Sequence, residues 1–240
     1  MRGWKPLKNK TYFFIIACLY FLILFTVFLI IRWNSIVHLI NQKSYTIVID
    51  PGHGGFDPGK IGVNRAQEKD INLSIALKLR NLLEEKDIHV VMTREEDYGL
   101  DEKSDRDKKR SDMRKRVSII NSSDALIAVS IHQNSFVEES SWGAQVFYYH
   151  SSEKGKILAE LLQERMKAFL NDGNHRLAKP NSSYYLLKNS RCPLVIVECG
   201  FLSNWKEAAL LCNDAYQDKL AWAIHLGILE YINSSNLEVD

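Results

Sequence analysis

Several signatures by which enzymes reveal a cofactor are missing from this sequence. No HExxH pair sets two histidines on one helical turn, so a zinc site of that helix-borne kind is excluded. The first glycine-rich loop lacks both the GxGxxG spacing of a dinucleotide cradle and the Lys-Ser or Lys-Thr ending of a P-loop. Internal repeats and low-complexity tracts are absent, which leaves one compact domain, residues 45–232, as the simplest organisation. Cysteine is scarce, at four in 240 residues. Beyond Cys18, the odd set Cys192, Cys199 and Cys212 does not form a disulfide framework, and one bridge plus a free thiol, or no bridge, are both open. Excess charge is also lacking. Five of the 31 Lys and Arg lie in the first 40 residues, leaving 26 against 29 Asp and Glu beyond them, net −3, so no nucleic-acid partner is indicated.

What is present begins with an uncharged apolar run from Thr11 to Ile31, preceded by Arg2, Lys5, Lys8 and Lys10. A helix of roughly 20 such residues crosses a bilayer. A cleaved signal peptide is the alternative, but its apolar region is about 7 to 15 residues and ends at a small-residue site. Here Ala17 is the only alanine before Ala66, and although Cys18 follows it, Ile15 and Ile16 are poor lipoprotein-signal residues. The expected organisation is a cytoplasmic tail (1–10), a transmembrane anchor (11–31), a linker (32–44), a folded domain (45–232) outside the cytoplasm, and a frayed tail (233–240).

Within that domain, apolar β-branched runs alternate with helical spacing. YTIVID, IHVVMT, ALIAVSIH, AQVFYYH, YYLL and LVIVE read as strands. Segments 70–85, 110–120 and 157–170 read as helices, and two more close the chain near Tyr231. This alternation predicts an α/β fold with a mostly parallel twisted sheet and helices on both faces.

Three of the buried strands lead into a residue able to hold or serve a metal: His53 after VIDPG, His132 in VSIH and Glu198 in VIVE. Ligands collect beyond the carboxyl ends of parallel strands, so these residues share an edge. Glu68, placed after the glycine loop and just before the first helix, can return to that edge as a third ligand for a catalytic zinc. The competing reading of each histidine is a satisfied polar loop residue. Glu198 competes with a strand-end carboxylate that caps a helix or joins an ion pair. Cys199 would make an attractive thiolate ligand, yet strand alternation turns it away from the face of Glu198, into the core.

DPGHGGFDPGKIG, AQEKDINL, SIHQNS and VECGFLSN occur in the order and spacing of the zinc-dependent N-acetylmuramoyl-L-alanine amidases of bacterial peptidoglycan, and the chain resembles that family over about residues 45–232. The resemblance implies Zn²⁺ held by His53, Glu68 and His132, with Glu198, in the E-x-G-F motif, as the catalytic glutamate. Ser135 replaces a common alanine and Cys199 a usually aliphatic residue. KRSDMRKRVSIIN and the C-terminal stretch are most similar to the germination-specific branch of spore-forming bacteria. That likeness implies removal of stem peptides from spore cortex for muramic-δ-lactam formation, a deacetylase acting on the product, an accessory protein, and a location between the forespore membranes.

Two other classes share these residues. A wall-directed zinc peptidase would cut within the stem peptide, and a membrane scaffold would keep the fold without the chemistry. Product analysis separates the first and a metal assay the second. The basic stretch from Arg106 to Arg116 reads as a solvated helix face in preference to a binding site for wall polymer or lipid headgroups. Arg176 suits a stem-peptide carboxylate or a loop-anchoring ion pair equally. Trp142 and Tyr148 suit a half-buried strand better than a glycan groove.

Overall fold

A computed structural model describes residues 7–40, 45–102, 107–170 and 173–237. The chain forms two compact units, residues 1–43 and 44–240. In the first, helix α1 (Leu7–Ile40) carries no acidic residue in its first turn, and its segment Tyr12–Ile30 is long and apolar enough to cross a membrane. The helix continues through the first part of the expected linker.

In the second unit, α/β alternation gives β1 (Thr46–Pro51), α2 (Glu68–Glu84), β2 (His89–Met92), α3 (Lys108–Ser122), β3 (Ile127–Asn134), β4 (Gln145–Tyr149), α4 (Glu153–Leu170), β5 (Lys179–Asn181), α5 (Tyr185–Asn189), β6 (Leu194–Phe201), α6 (Trp205–Leu211) and α7 (Asp214–Leu237). The strands build one sheet in the order β2-β1-β3-β6-β4-β5. Every neighbouring pair is parallel except β4 with β6. The sheet is therefore mostly parallel, and its strands are apolar on both sides because both sides are covered.

Strand alternation divides the core. Ile47, Ile49, Val129, Ile131, Val195, Val197 and Cys199 face one way, onto Ile71, Ile75 and Leu79 of α2, Leu158 and Leu162 of α4, and Ile224 and Ile228 of α7. Val48, Ala128, Leu194 and Ile196 face the other way, with Ile120 of α3 and Leu186 and Leu187 of α5. His132 and Glu198 follow the even parity of the second set, in register with each other across β3 and β6.

Three local expectations change. The YYLL segment is the start of a one-turn helix, α5, and not a strand; Asn181 Oδ1 accepts from the Ser183 and Tyr184 amides at 2.8 Å each and turns the chain into it. The basic stretch is helical, but Arg116 is fully buried, paired with Asp50 at 2.7 Å and Asp112 at 2.6 Å, so one member of the stretch belongs to the core; Arg106 lies outside the described residues. Helix α7 runs past residue 232 to Leu237, and residues 238–240 lie outside the described set.

Candidate active site

Because β1, β3 and β6 are adjacent and parallel, their carboxyl ends open on the same edge. The loop after β1 carries His53, the first residue of α2 is Glu68, and His132 ends the regular pairing of β3, where the register with β6 shifts between His132 and Asn134. One donor atom from each of His53, Glu68 and His132 lies within 4.8 Å of the others. Glu198 joins them on the wall of a cavity of about 370 Å³, together with Asp57, Lys60, Ser135 and Tyr184.

Glu68 is the centre of this cluster and is 2 % exposed. Its Oε1 accepts from the Gln133 amide at 3.1 Å and Asn72 Nδ2 at 3.3 Å and lies 2.9 Å from His132 Nδ1. Oε2 accepts from the Lys60 amide at 2.8 Å and lies 3.2 Å from His53 Nε2. Burial opposes its charge, yet the hydrogen bonds to His132 and His53 hold its carboxyl far below the usual range. His132 is likewise disfavoured as a cation by burial, but Glu68 outweighs this and raises its pKa. His53 Nδ1 meets Asp57 Oδ2 at 2.9 Å. An ionised Asp57 there requires Nδ1–H, so Nε2, the atom turned to Glu68, is the ring nitrogen that would serve a metal once its own proton is gone.

The loop is held by buried cations. Arg94 donates to the carbonyls of Pro51, Gly52 and Lys69 at 2.8–3.0 Å, and Arg116 to those of Pro51 and His53 at 2.8 and 2.6 Å. These bonds oppose the strain of His53, whose φ of 62° is unusual for a side-chain-bearing residue. Gly52 is required by contact: a Cβ there would stand 2.2 Å from His132 Cε1.

Glu198 contrasts with Glu68. Its Oε2 is buried without a hydrogen-bond partner. Burial pushes its carboxyl up to about 7, with the Glu68 charge adding to the rise and the two histidines opposing it. A carboxyl poised near neutral pH is suited to accepting and returning a proton.

The donor set fits a zinc ion. Bonds of about 2.0–2.1 Å in a tetrahedron place neighbouring ligand atoms about 3.3 Å apart. The His53–Glu68 and His132–Glu68 approaches of 3.2 and 2.9 Å, made to Oε2 and Oε1 respectively, are of that order, and one donor atom from each of the three residues lies within 4.8 Å of the others.

Among the other residues singled out, Cys199 is fully buried in the core, and Cys192 and Cys212 are free thiols. Tyr148 is 8 % exposed in β4, whereas Trp142 stands in the preceding loop. Arg176 donates to Trp142 O at 2.8 Å and Gln145 Oε1 at 3.3 Å and lies over the Phe201 ring, so it anchors a loop, with no ion pair among the described residues. Sequence reasoning did not single out Asp57, Arg94, Asn72 or Tyr184. Asp57 had a local signal, an acid four residues after His53; the others are brought in by long-range contacts.

A family model for N-acetylmuramoyl-L-alanine amidases matches residues 47–230. The germination-specific N-acetylmuramoyl-L-alanine amidase of Bacillus subtilis is 39 % identical over 188 residues, 77 % of this chain and 78 % of that one. The amidase LytC of the same organism is 34 % identical over 78 % of this chain and 35 % of its own length. Among solved structures, the CwlD amidase of Clostridioides difficile, in complex with the GerS lipoprotein, superposes with a TM-score of 0.78 and 42 % identity, covering 80 % of this chain and all of that one.

Proposed function

The chain belongs to the N-acetylmuramoyl-L-alanine amidase family and is a hydrolase of that class, and we propose that it works as a zinc enzyme with His53, Glu68 and His132 as ligands and Glu198 as general base. The observation that carries this reading is the convergence of three donor side chains on the wall of the cavity that holds the partnerless Glu198 carboxylate. Zinc there would supply Lewis acidity toward an amide carbonyl and acidify water.

The substrate bond joins the lactyl carbonyl of muramic acid to the nitrogen of L-alanine in peptidoglycan. Glu198 takes a proton from the attacking water as the new C–O bond forms. It then gives that proton to the departing nitrogen as the C–N bond breaks, leaving a carboxylic acid on muramic acid and a free amine on L-alanine. Asp57 holds the His53 tautomer, and Arg94 and Arg116 hold the loop that carries it.

The likeness to a germination-specific relative supports a role on spore cortex, where stem-peptide removal precedes deacetylation and muramic-δ-lactam formation. Tyr12–Ile30 supports anchoring, with the catalytic domain in the space between the forespore membranes. The lipoprotein bound to the CwlD neighbour supports an accessory partner of the same kind.

The test is zinc analysis and mass spectrometry of peptidoglycan digested by wild type and by Glu198→Gln. Glutamine keeps the shape but cannot accept a proton, so stem-peptide release should fall about a hundredfold or more with zinc and fold retained. Near-normal release would refute the base, loss of zinc would make Glu198 a ligand, and cleavage within the stem would make the protein a peptidase.

A further inference from the structure

Tyr184 is the only phenol, phenyl or indole side chain on the wall of the cavity that holds Glu198, among the described residues. Its position is set three ways. Asn181 Oδ1 accepts its amide, its carbonyl accepts the Lys188 amide to begin α5, and its ring meets Phe147 edge-on with centroids 5.6 Å apart. Phe147 pairs with Ile196 in the β4–β6 register, two residues along from Glu198 on the same face. The ring is thus braced against β4, the antiparallel neighbour of the strand that carries the proposed base. Tyr184 is 37 % exposed and its hydroxyl makes no hydrogen bond among the described residues, while Glu198 Oε2 is buried without a partner. The cavity wall therefore offers one unspent donor and one unspent acceptor, the pair of groups that an amide undergoing hydrolysis calls for.

Resting on the reading of the site given above, we infer that Tyr184 is a catalytic residue whose phenolic O–H donates a hydrogen bond to the scissile carbonyl oxygen as that oxygen gains negative charge. The departing nitrogen needs a group that surrenders a proton, which Glu198 does; the oxygen needs a donor that keeps one. Tyr184 is built to keep it. Burial first, and the neighbouring Glu198 charge second, raise the phenol above its ordinary pKa, so it remains a neutral donor at working pH.

The test compares full-length, zinc-loaded wild type and Tyr184→Phe on a soluble muramoyl-peptide, reading the new L-alanine amine. Phenylalanine preserves the contact with Phe147 and removes only the hydroxyl. The expected result is a kcat lower by about 10- to 100-fold with KM within about twofold, because the bond strengthens only in the transition state. Zinc content and Tm should match wild type, which a structural role for the hydroxyl would not allow. A variant with kcat within twofold, or one whose loss is confined to KM, overturns the inference and leaves the metal and Glu198 assignments standing. Wild type that exposes no L-alanine amine overturns those assignments, and this inference with them.

Discussion

At the scale of single residues, the least exchangeable charge away from the ligands is Asp50. It ends the apolar part of β1 fully buried, accepting from Arg116 at 2.7 Å and from the Thr93 and Ser130 hydroxyls at 2.6 Å each. Burial works against its ionisation, but the Arg116 charge and those hydroxyls win and lower its pKa to about 2. A folded-state pKa below the unfolded value of about 3.9 means that stability is present above that value and is lost as pH falls through the folded one. Asp50 should therefore contribute about 2 kcal/mol at neutral pH that disappears between about pH 4 and pH 2. Asp50→Asn removes this contribution and leaves Arg116 with Asp112 alone, so the variant should be less stable by at least that amount at pH 7. Denaturant titrations across pH check it: the gap between the two proteins should narrow below pH 4, and a constant gap would contradict the assignment. Asp50 was visible in the sequence as part of DPGHGG, but its partner was not. Arg116 stands 66 residues away in a stretch whose neighbours are solvated, and only the packing of α3 against β1 turns it inward.

At the scale of elements, the strands β1, β3 and β6 were legible because a parallel strand buried on both faces is an unbroken apolar run. The amphipathic helices α2 and α4 were legible from their spacing for a related reason: one face is solvated and the other is not. The site followed from the strands, since a residue just past such a run has few places to go except the carboxyl edge. The α5 turn was illegible for the converse reason. A five-residue helix has too few turns to show a period, and its two leucines are both buried, as strand leucines would be. What decides its conformation is Asn181, whose side chain accepts two successive amides. Asn181→Ala should cost about 1 kcal/mol by leaving those donors to solvent. It should also let Tyr184 drift, so kcat on a soluble muramoyl-peptide should fall severalfold with zinc content unchanged. Urea melts and steady-state kinetics on the purified variant test both halves, and a destabilised variant with wild-type kcat would detach the turn from catalysis.

At the scale of the whole molecule, the candidate active site and the apolar helix reside in different units. Both hydrophobic cores draw only on residues from Tyr45 onward, and all the cavity-lining residues around Glu198 lie there as well. The apolar side chains of Tyr12–Ile30 are exposed, with Phe13 at 78 % and Phe21 at 72 %, an arrangement that water disfavours and lipid accommodates. The expectation that follows from the basic residues ahead of the span is an N-terminus on the cytoplasmic side. Deletion of residues 1–43 should then convert a protein that needs detergent into a soluble one, with zinc content and specific activity retained and Tm within about 2 °C. In cells, the full chain should sediment with membranes, resist carbonate extraction, and expose its second unit to protease added outside the cytoplasmic membrane. Full-length protein found in the soluble fraction would show that the apolar helix is no anchor, and a mature form beginning near Ser35 that it is a cleaved leader; a truncated protein that precipitates or loses zinc would show that the catalytic unit depends on residues ahead of its own core.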